Sequence, residues 1–181
     1  MEVVSVSKIT RLLHPKLTVI ITSCNKRGKC NAMAAAWVMP VSARPPLVAV
    51  AISPRRLTYS YIKETREFAI NVPSIDLLKQ VHYTGTVSGR KEDKLSKIKT
   101  FKARKIRAPL ISESIAWLEC IVENEIEAGD HVLFIGRVVE AYALKEYLDE
   151  DETYSSYKFK PVLYIGGNKY TTTENVRYVP Q

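Results

Sequence analysis

A mainly β fold is what this chain predicts: a closed or nearly closed antiparallel barrel with short helices in its crossovers. Three observations carry the prediction. Short β-branched or apolar runs recur along the sequence, among them Leu17–Ser23, Leu47–Ser53, Glu67–Val72 and Ile115–Glu127. Turn residues part several of them at hairpin spacing, as in Asn25–Lys29, which holds Gly28, and Gly129-Asp130. Closing such a sheet removes its exposed edges, so a barrel is the economical arrangement. The 181 residues suit one domain, 1–181, with its core at about 12–171.

Each element has its own signal. Residues 1–16 form a loose lead-in with a short helix near Ile9–Leu13. Leu17–Ser23 is the first strand. Asn31–Val41 and Leu47–Ser53 are the next two, joined by a turn carrying Pro45 and Pro46; runs of this length bounded by prolines fit strands better than helices. Leu57–Thr65 sets Leu57, Tyr61 and Ile62 on one face of a short helix. Glu67–Val72 returns as a strand. Ser74 is placed to cap a helix over Ile75–Tyr83, with Asp76 in its first turn. Gly85–Arg90 is a loop, and Glu92–Lys99 a second short, basic helix. Ile115–Glu127 and His131–Leu144 make a long hairpin, with Gly136 marking a bulge or a close approach. Asp149–Glu152 is an acidic loop. Pro161–Ile165 is the last strand, followed by Gly166-Gly167 and a polar tail.

Composition narrows the function. No apolar run reaches membrane-spanning length, and the N-terminus lacks the apolar core and cleavage site of a signal peptide. Three cysteines, Cys24, Cys30 and Cys120, read as sparse thiols in a reducing cytoplasm. Cys24 and Cys30 flank a hairpin turn and are expected near each other as free thiols. No metal-ligand spacing occurs. The net charge of +8 favours an anionic partner, whether a phosphorylated cofactor, an acidic protein or nucleic acid. Plentiful Lys, Arg and Glu beside two glutamines are compatible with a thermophilic source. There is no G-x-G-x-x-G in a βαβ unit, no phosphate-binding G-x-x-x-x-G-K-[ST], no G-x-S-x-G and no H-E-x-x-H.

The stretch from Asn31 to Thr58 organises the site. Small residues at Ala32, Ala34, Ala35 and Ala36 leave room for something flat. The run then empties into a basic, hydroxyl-bearing loop, Ser53–Thr58. Arg55, Arg56 and Thr58 stand just before a helix, whose N-terminus adds partial positive charge for an anionic tail.

Further motifs carry a resemblance. They are Asn31 and Trp37 in the N-A-M segment, Arg44–Pro46, S-x-R-x-x-T over Ser53–Thr58 and F-A-I-N-V-P over Phe68–Pro73. G-x-x-S-G-R-x-x-D-K follows over Gly85–Lys94, then Gly129–His131 and Tyr164–Gly167. In this order the chain resembles the flavin reductase-like FMN-binding split-barrel family, most closely its flavoredoxin-like branch, over residues 12–171. The resemblance implies a six-stranded Greek-key split barrel, a homodimer, and FMN bound near the dimer interface. It makes Thr58 and Lys94 phosphate contacts, with Ser53, Arg55, Arg56 and Ser88 beside them. Asn31 and Trp37 fall on the ring and ribityl side. The backbone of Val38, Met39, Pro40, Val41 and Ser42 runs along the ring, and Tyr164 matches an aromatic position beside it. His131 is flavin-adjacent, where a nicotinamide also docks. His14 and His82 carry no comparable signal.

The implied function is an NAD(P)H-dependent flavin reductase-like oxidoreductase, with transient NADH or NADPH and electrons passed through FMN. One alternative is a flavoredoxin-like carrier that takes electrons from a redox partner protein without nicotinamide. A basic barrel binding nucleic acid is the third reading, but no strand face alternates aromatic with basic residues.

Overall fold

The computed structural model describes residues 5–173. Among the described residues, twelve strands and two α-helices follow one another. A 3-10 turn (Val6–Leu13) and β1 (Lys16–Leu17) precede β2 (Val19–Cys24), β3 (Cys30–Ala35), β4 (Val38–Ser42) and β5 (Leu47–Ile52). Then come α1 (Leu57–Thr65), β6 (Glu67–Val72), α2 (Leu78–Thr86), β7 (Thr100–Phe101) and β8 (Leu110–Ile111). The long hairpin is β9 (Ala116–Ala128) with β10 (His131–Ala143), and β11 (Leu163–Gly166) and β12 (Lys169–Thr171) close the order. The first four residues of the expected lead-in, and the polar tail beyond residue 173, lie outside the described residues.

One antiparallel sheet of seven strands, ordered β3-β2-β6-β9-β10-β5-β4, forms the body. Its two edge strands are consecutive in the chain, with only Ala36 and Trp37 between them. The sheet therefore curls until its edges meet, and β3 with β4 acts as one interrupted strand. The sheet bears out the expected mainly β, antiparallel barrel. The expected single strand Asn31–Val41 is thus two: its first half pairs with β2 and its second with β5. Trp37 sits in the break and accepts a hydrogen bond through its carbonyl from the Ala51 N–H at 3.0 Å.

Alternation along the strands sorts the core. On β6, Phe68, Ile70 and Val72 face the barrel interior with Val19, Ile21, Val50, Ile52 and Phe134. The opposite face of the same sheet is also apolar. Ala103, Ile106, Ala108 and Leu110 cover it around Trp117, and α2 covers it around Ile20 and Ala32. The apolar outer face of Ile115–Val122 is thus buried by the chain's own 103–110 segment and calls for no second subunit. Gly136 sits at a register shift in β10; a Cβ there would lie 2.6 Å from Phe68 Cζ, so only glycine lets that ring fill the core.

Several expectations need correction. Cys24 and Cys30 form a disulfide, their Cα atoms 3.9 Å apart. The hairpin register sets them directly opposite each other, which neither their number nor a sparse-thiol argument reveals. Only Cys120 is a free thiol, buried and pushed up in pKa by that burial and by Glu119. Ser74 does not cap through its side chain; its hydroxyl turns toward Asp76 and the Lys160 carbonyl, and the segment opens as a 3-10 turn, Ile75–Leu77, before α2. The basic helix shrinks to Lys94–Lys97, where the Asp93 carboxylate accepts from the Leu95 N–H. Part of the expected tail is strand β12, paired with β11. No helix among the described residues is long and apolar enough to cross a membrane.

Candidate functional site

Two cavities meet at Met33 and Arg56, which line both. The smaller, about 60 Å³, lies between the N-terminus of α1 and the 84–94 segment. Arg55, Arg56, Thr58, Ser88, Gly89, Lys94 and Asn31 line it, with no carboxylate among the lining residues. Arg56 stands at the N-cap in extended conformation without a side-chain cap. The first N–H groups of α1 therefore open on this cavity with no intrahelical partner.

The interior of this cavity is tightly specified. The Asn31 side-chain amide donates to Thr58 Oγ1 at 2.9 Å, and both residues are buried. A Cβ on Gly89 would fall 2.1 Å from Asn31 Oδ1 and 3.1 Å from Leu57 Cδ2, so glycine is what lets the Ser88-Gly89 backbone come this close. Lys94 is 3% exposed and donates from Nζ to the Thr84 carbonyl at 2.9 Å. Burial, with the Arg56 guanidinium adding to it, pulls the Lys94 pKa from the usual 10.5 down to about 8. Confining two cations in an acid-free pocket is costly unless an anion enters.

The larger cavity is a cleft of about 270 Å³. Its floor is Met33 to Trp37 of the interrupted strand, and Ala51, Ile52 and Ser53 form one side. Gly85 and Thr86 of α2 form another side, with Gly85 so near Ala34 that a Cβ would sit 3.3 Å from the alanine methyl. Ser53 is buried, and its Oγ lacks any hydrogen-bond partner among the described residues. Aromatic groups frame the mouth. Trp37 packs on His131 with ring centroids 4.5 Å apart, and the Lys16 ammonium lies 5.7 Å over the Trp37 ring. Tyr164 and Tyr170 face them, 5.4 Å apart. The Asp130 carboxylate accepts from or pairs with His131 Nδ1 at 2.7 Å, and this contact holds the Asp130 pKa below the usual range.

Most of the residues singled out in the sequence gather here. Asn31, Arg55, Arg56, Thr58, Ser88 and Lys94 share the small cavity, and Trp37, Ser53, His131 and Tyr164 the cleft. Val38, Met39, Pro40, Val41 and Ser42 line neither; they form β4, where Met39 and Val41 are exposed. Gly85, the first residue of the G-x-x-S-G-R-x-x-D-K motif, also lines the cleft, and Thr18, Thr86 and Tyr170 line it without having been anticipated. Nothing local in the sequence marks them, since tertiary placement alone brings them in.

Comparison with known proteins gives a consistent result. A family model described as the flavin reductase like domain matches residues 11–173. An uncharacterised protein of Archaeoglobus fulgidus is 40% identical over 170 residues, covering 93% of this chain and 94% of its own. Among solved structures, a flavoredoxin from Methanosarcina acetivorans is similar with a TM-score of 0.86 at 29% identity, over 99% of this chain and 95% of that one. An FMN-binding protein from Thermus thermophilus, solved with 1-cyclohex-2-enone, has a TM-score of 0.85 at 27% identity, over 93% of this chain and 92% of that one.

Proposed function

The chain belongs to the flavin reductase like family, and from that premise we propose that it binds FMN across the two joined cavities and works as an NAD(P)H-dependent oxidoreductase. The observation that carries this is the pairing of an acid-free cationic pocket with a flat, small-residue cleft, joined at Arg56 and Met33. Together they come within the roughly 300–1,000 Å³ of small-molecule sites. The residues fit the cofactor. Arg55, Arg56, Lys94, Thr58 and the open N–H groups of α1 suit a phosphate dianion. Ser53, with its unpartnered buried hydroxyl, and Asn31 suit the polar ribityl and ring edge.

Bound FMN supplies the chemistry of accepting hydride and passing electrons on. The protein's residues hold and orient. Ala34–Ala36 leave a slot flat enough for a wide ring. Trp37, His131 and Tyr164 leave its mouth open for a second planar group, the nicotinamide. His131, fixed by Asp130, presents an imidazole edge there. Exposed Trp37, Met39 and Val41 around the break support a homodimer that covers this side of the site.

The test is the absorbance spectrum of the purified, FMN-supplemented protein, followed by stopped-flow mixing with NADH, NADPH and a reduced ferredoxin. A flavin visible band bleached by either nicotinamide supports the full reading. Bleaching by ferredoxin alone would replace it with a flavoredoxin-like carrier. No retained flavin would end both.

A further inference from the structure

We propose that residues 99–107, with the β2–β3 turn beside them, form a rigid basic platform that docks an acidic electron-carrier protein. The proposal rests on the redox reading above and adds the partner. In this segment Ala103 and Ile106 are buried, while Lys99, Lys102, Arg104, Lys105 and Arg107 are all exposed. The apolar positions anchor into the cluster of Cys24, Cys30 and Trp117, and the cations are left outward.

The backbone beneath is pinned from the barrel side. Fully buried Glu119 accepts the Arg104 N–H at 2.9 Å with one carboxylate oxygen and the Lys105 N–H at 2.7 Å with the other. Glu67 accepts the Arg107 N–H at 2.9 Å, and the Thr22 hydroxyl donates to the Pro109 carbonyl at 2.6 Å. Glu64 likewise accepts the Lys26 N–H at 2.9 Å, and Glu119 also takes the Tyr142 hydroxyl at 2.8 Å. None of these three carboxylates forms an ion pair with a cationic side chain among the described residues. The Cys24 sulfur lies 3.4 Å from the Arg107 carbonyl oxygen, which sets the β2–β3 turn and its exposed Lys26, Arg27 and Lys29 alongside. No ion pair among the described residues involves any of these eight cations.

A fixed surface of clustered exposed cations steers an oppositely charged partner and loses no backbone entropy on docking. Its position suits electron exchange. One strand, β3, separates the platform from the cavities: Cys30 faces the platform and the adjacent Asn31 the small cavity. Nucleic acid fits less well. The one exposed aromatic ring of the segment, Phe101, is set edge-on to Trp117 at 78°, so no row of aromatic faces exists for bases to stack on.

The test uses the FMN-supplemented full chain and the Lys102→Glu/Lys105→Glu variant, with Lys145→Glu/Lys158→Glu as a charge-matched control. Flavin content is read first, so that a failure to bind FMN is separated from a failure to dock. Affinity for a small acidic [2Fe–2S] ferredoxin, and for a 20-base-pair duplex DNA, is then titrated at low and high salt. The expected result is ferredoxin binding that weakens about tenfold or more in the platform variant but not in the control, with unchanged flavin content. Absence of ferredoxin binding, equal loss in both variants, or tighter binding to DNA would each overturn the proposal.

Discussion

The two cavities are built on different plans. The small one is assembled from two short segments, 55–58 and 84–94, plus Asn31 and Met33, and its groups already hold one another: Asn31 to Thr58, Lys94 to Thr84, Gly89 against Asn31. The cleft draws on distant parts of the chain, from Thr18 to Tyr170, and its walls are small side chains and ring faces with few mutual hydrogen bonds. The difference implies a division of labour. Affinity for the cofactor should reside in the small cavity, and tolerance for varied planar partners in the cleft.

The largest expected effect comes from breaking the small cavity's packing. Gly89→Ala forces a methyl into the space of Asn31 Oδ1 and must displace a buried, hydrogen-bonded side chain. Overpacking of this kind costs about 1–3 kcal/mol, and the lost Asn31 contact adds to it. FMN titration by fluorescence should show affinity falling by a hundredfold or so at ~2.7 kcal/mol. An unchanged affinity would mean that the cofactor does not depend on Asn31.

Next come Arg56→Ala and Lys94→Ala. Each removes a charge-assisted contact of about 1.5–3 kcal/mol and should weaken FMN binding while leaving the fold intact by circular dichroism. If both variants bind as tightly as the wild type, the phosphate lies elsewhere.

A smaller, graded effect follows from pH. The Lys94 pKa is lowered to about 8 in the folded, cofactor-free protein. A bound anion favours the ammonium and raises that pKa, so binding takes up a proton once the pH exceeds about 8. FMN affinity should therefore be level from about pH 7, where the phosphate is a dianion, to about pH 8 and decline above it, and Lys94→Met should abolish the decline. The stability of the cofactor-free protein moves the other way for this group. Its unfolded state holds the proton more tightly, so the burial penalty is full below about 8 and fades as pH rises toward 10.5.

Changes in the cleft should matter least for affinity. Tyr170→Phe removes one hydroxyl, which lies 3.4 Å from His82 Nδ1, and keeps the ring. FMN affinity should change by less than about threefold, within the ~0.5 kcal/mol expected of a marginal contact. A loss as large as that of Arg56→Ala would erase the contrast between the cavities.

The same contrast explains what the sequence disclosed. Arg55, Arg56 and Thr58 were legible because they are contiguous and precede a helix whose apolar spacing is clear; α1 and β6 emerge with the bounds expected. Tyr170 was not, because β12 has three residues and becomes a strand only by pairing with β11. Val38–Ser42 join the opposite edge of the sheet because the strand breaks at Ala36-Trp37, and no propensity marks that break. The Cys24–Cys30 bridge depends on hairpin register, which a count of cysteines does not contain.

A barrel whose two sheet edges meet through a two-residue break has a seam, and seams set where local opening begins. β9 and β10 are each flanked by two partners, whereas β3 and β4 have one apiece. Amide exchange with solvent should accordingly be fastest along Val38–Ser42 and slowest in the middle of β9. The cleft floor, Met33 to Trp37, runs into that seam, and Ala51–Ser53 form the wall across from it. A molecule lying in the cleft therefore touches both sides of the weakest join in the hoop. It acts as a clasp, and slowed exchange at β4 would report its arrival without any enzymatic assay.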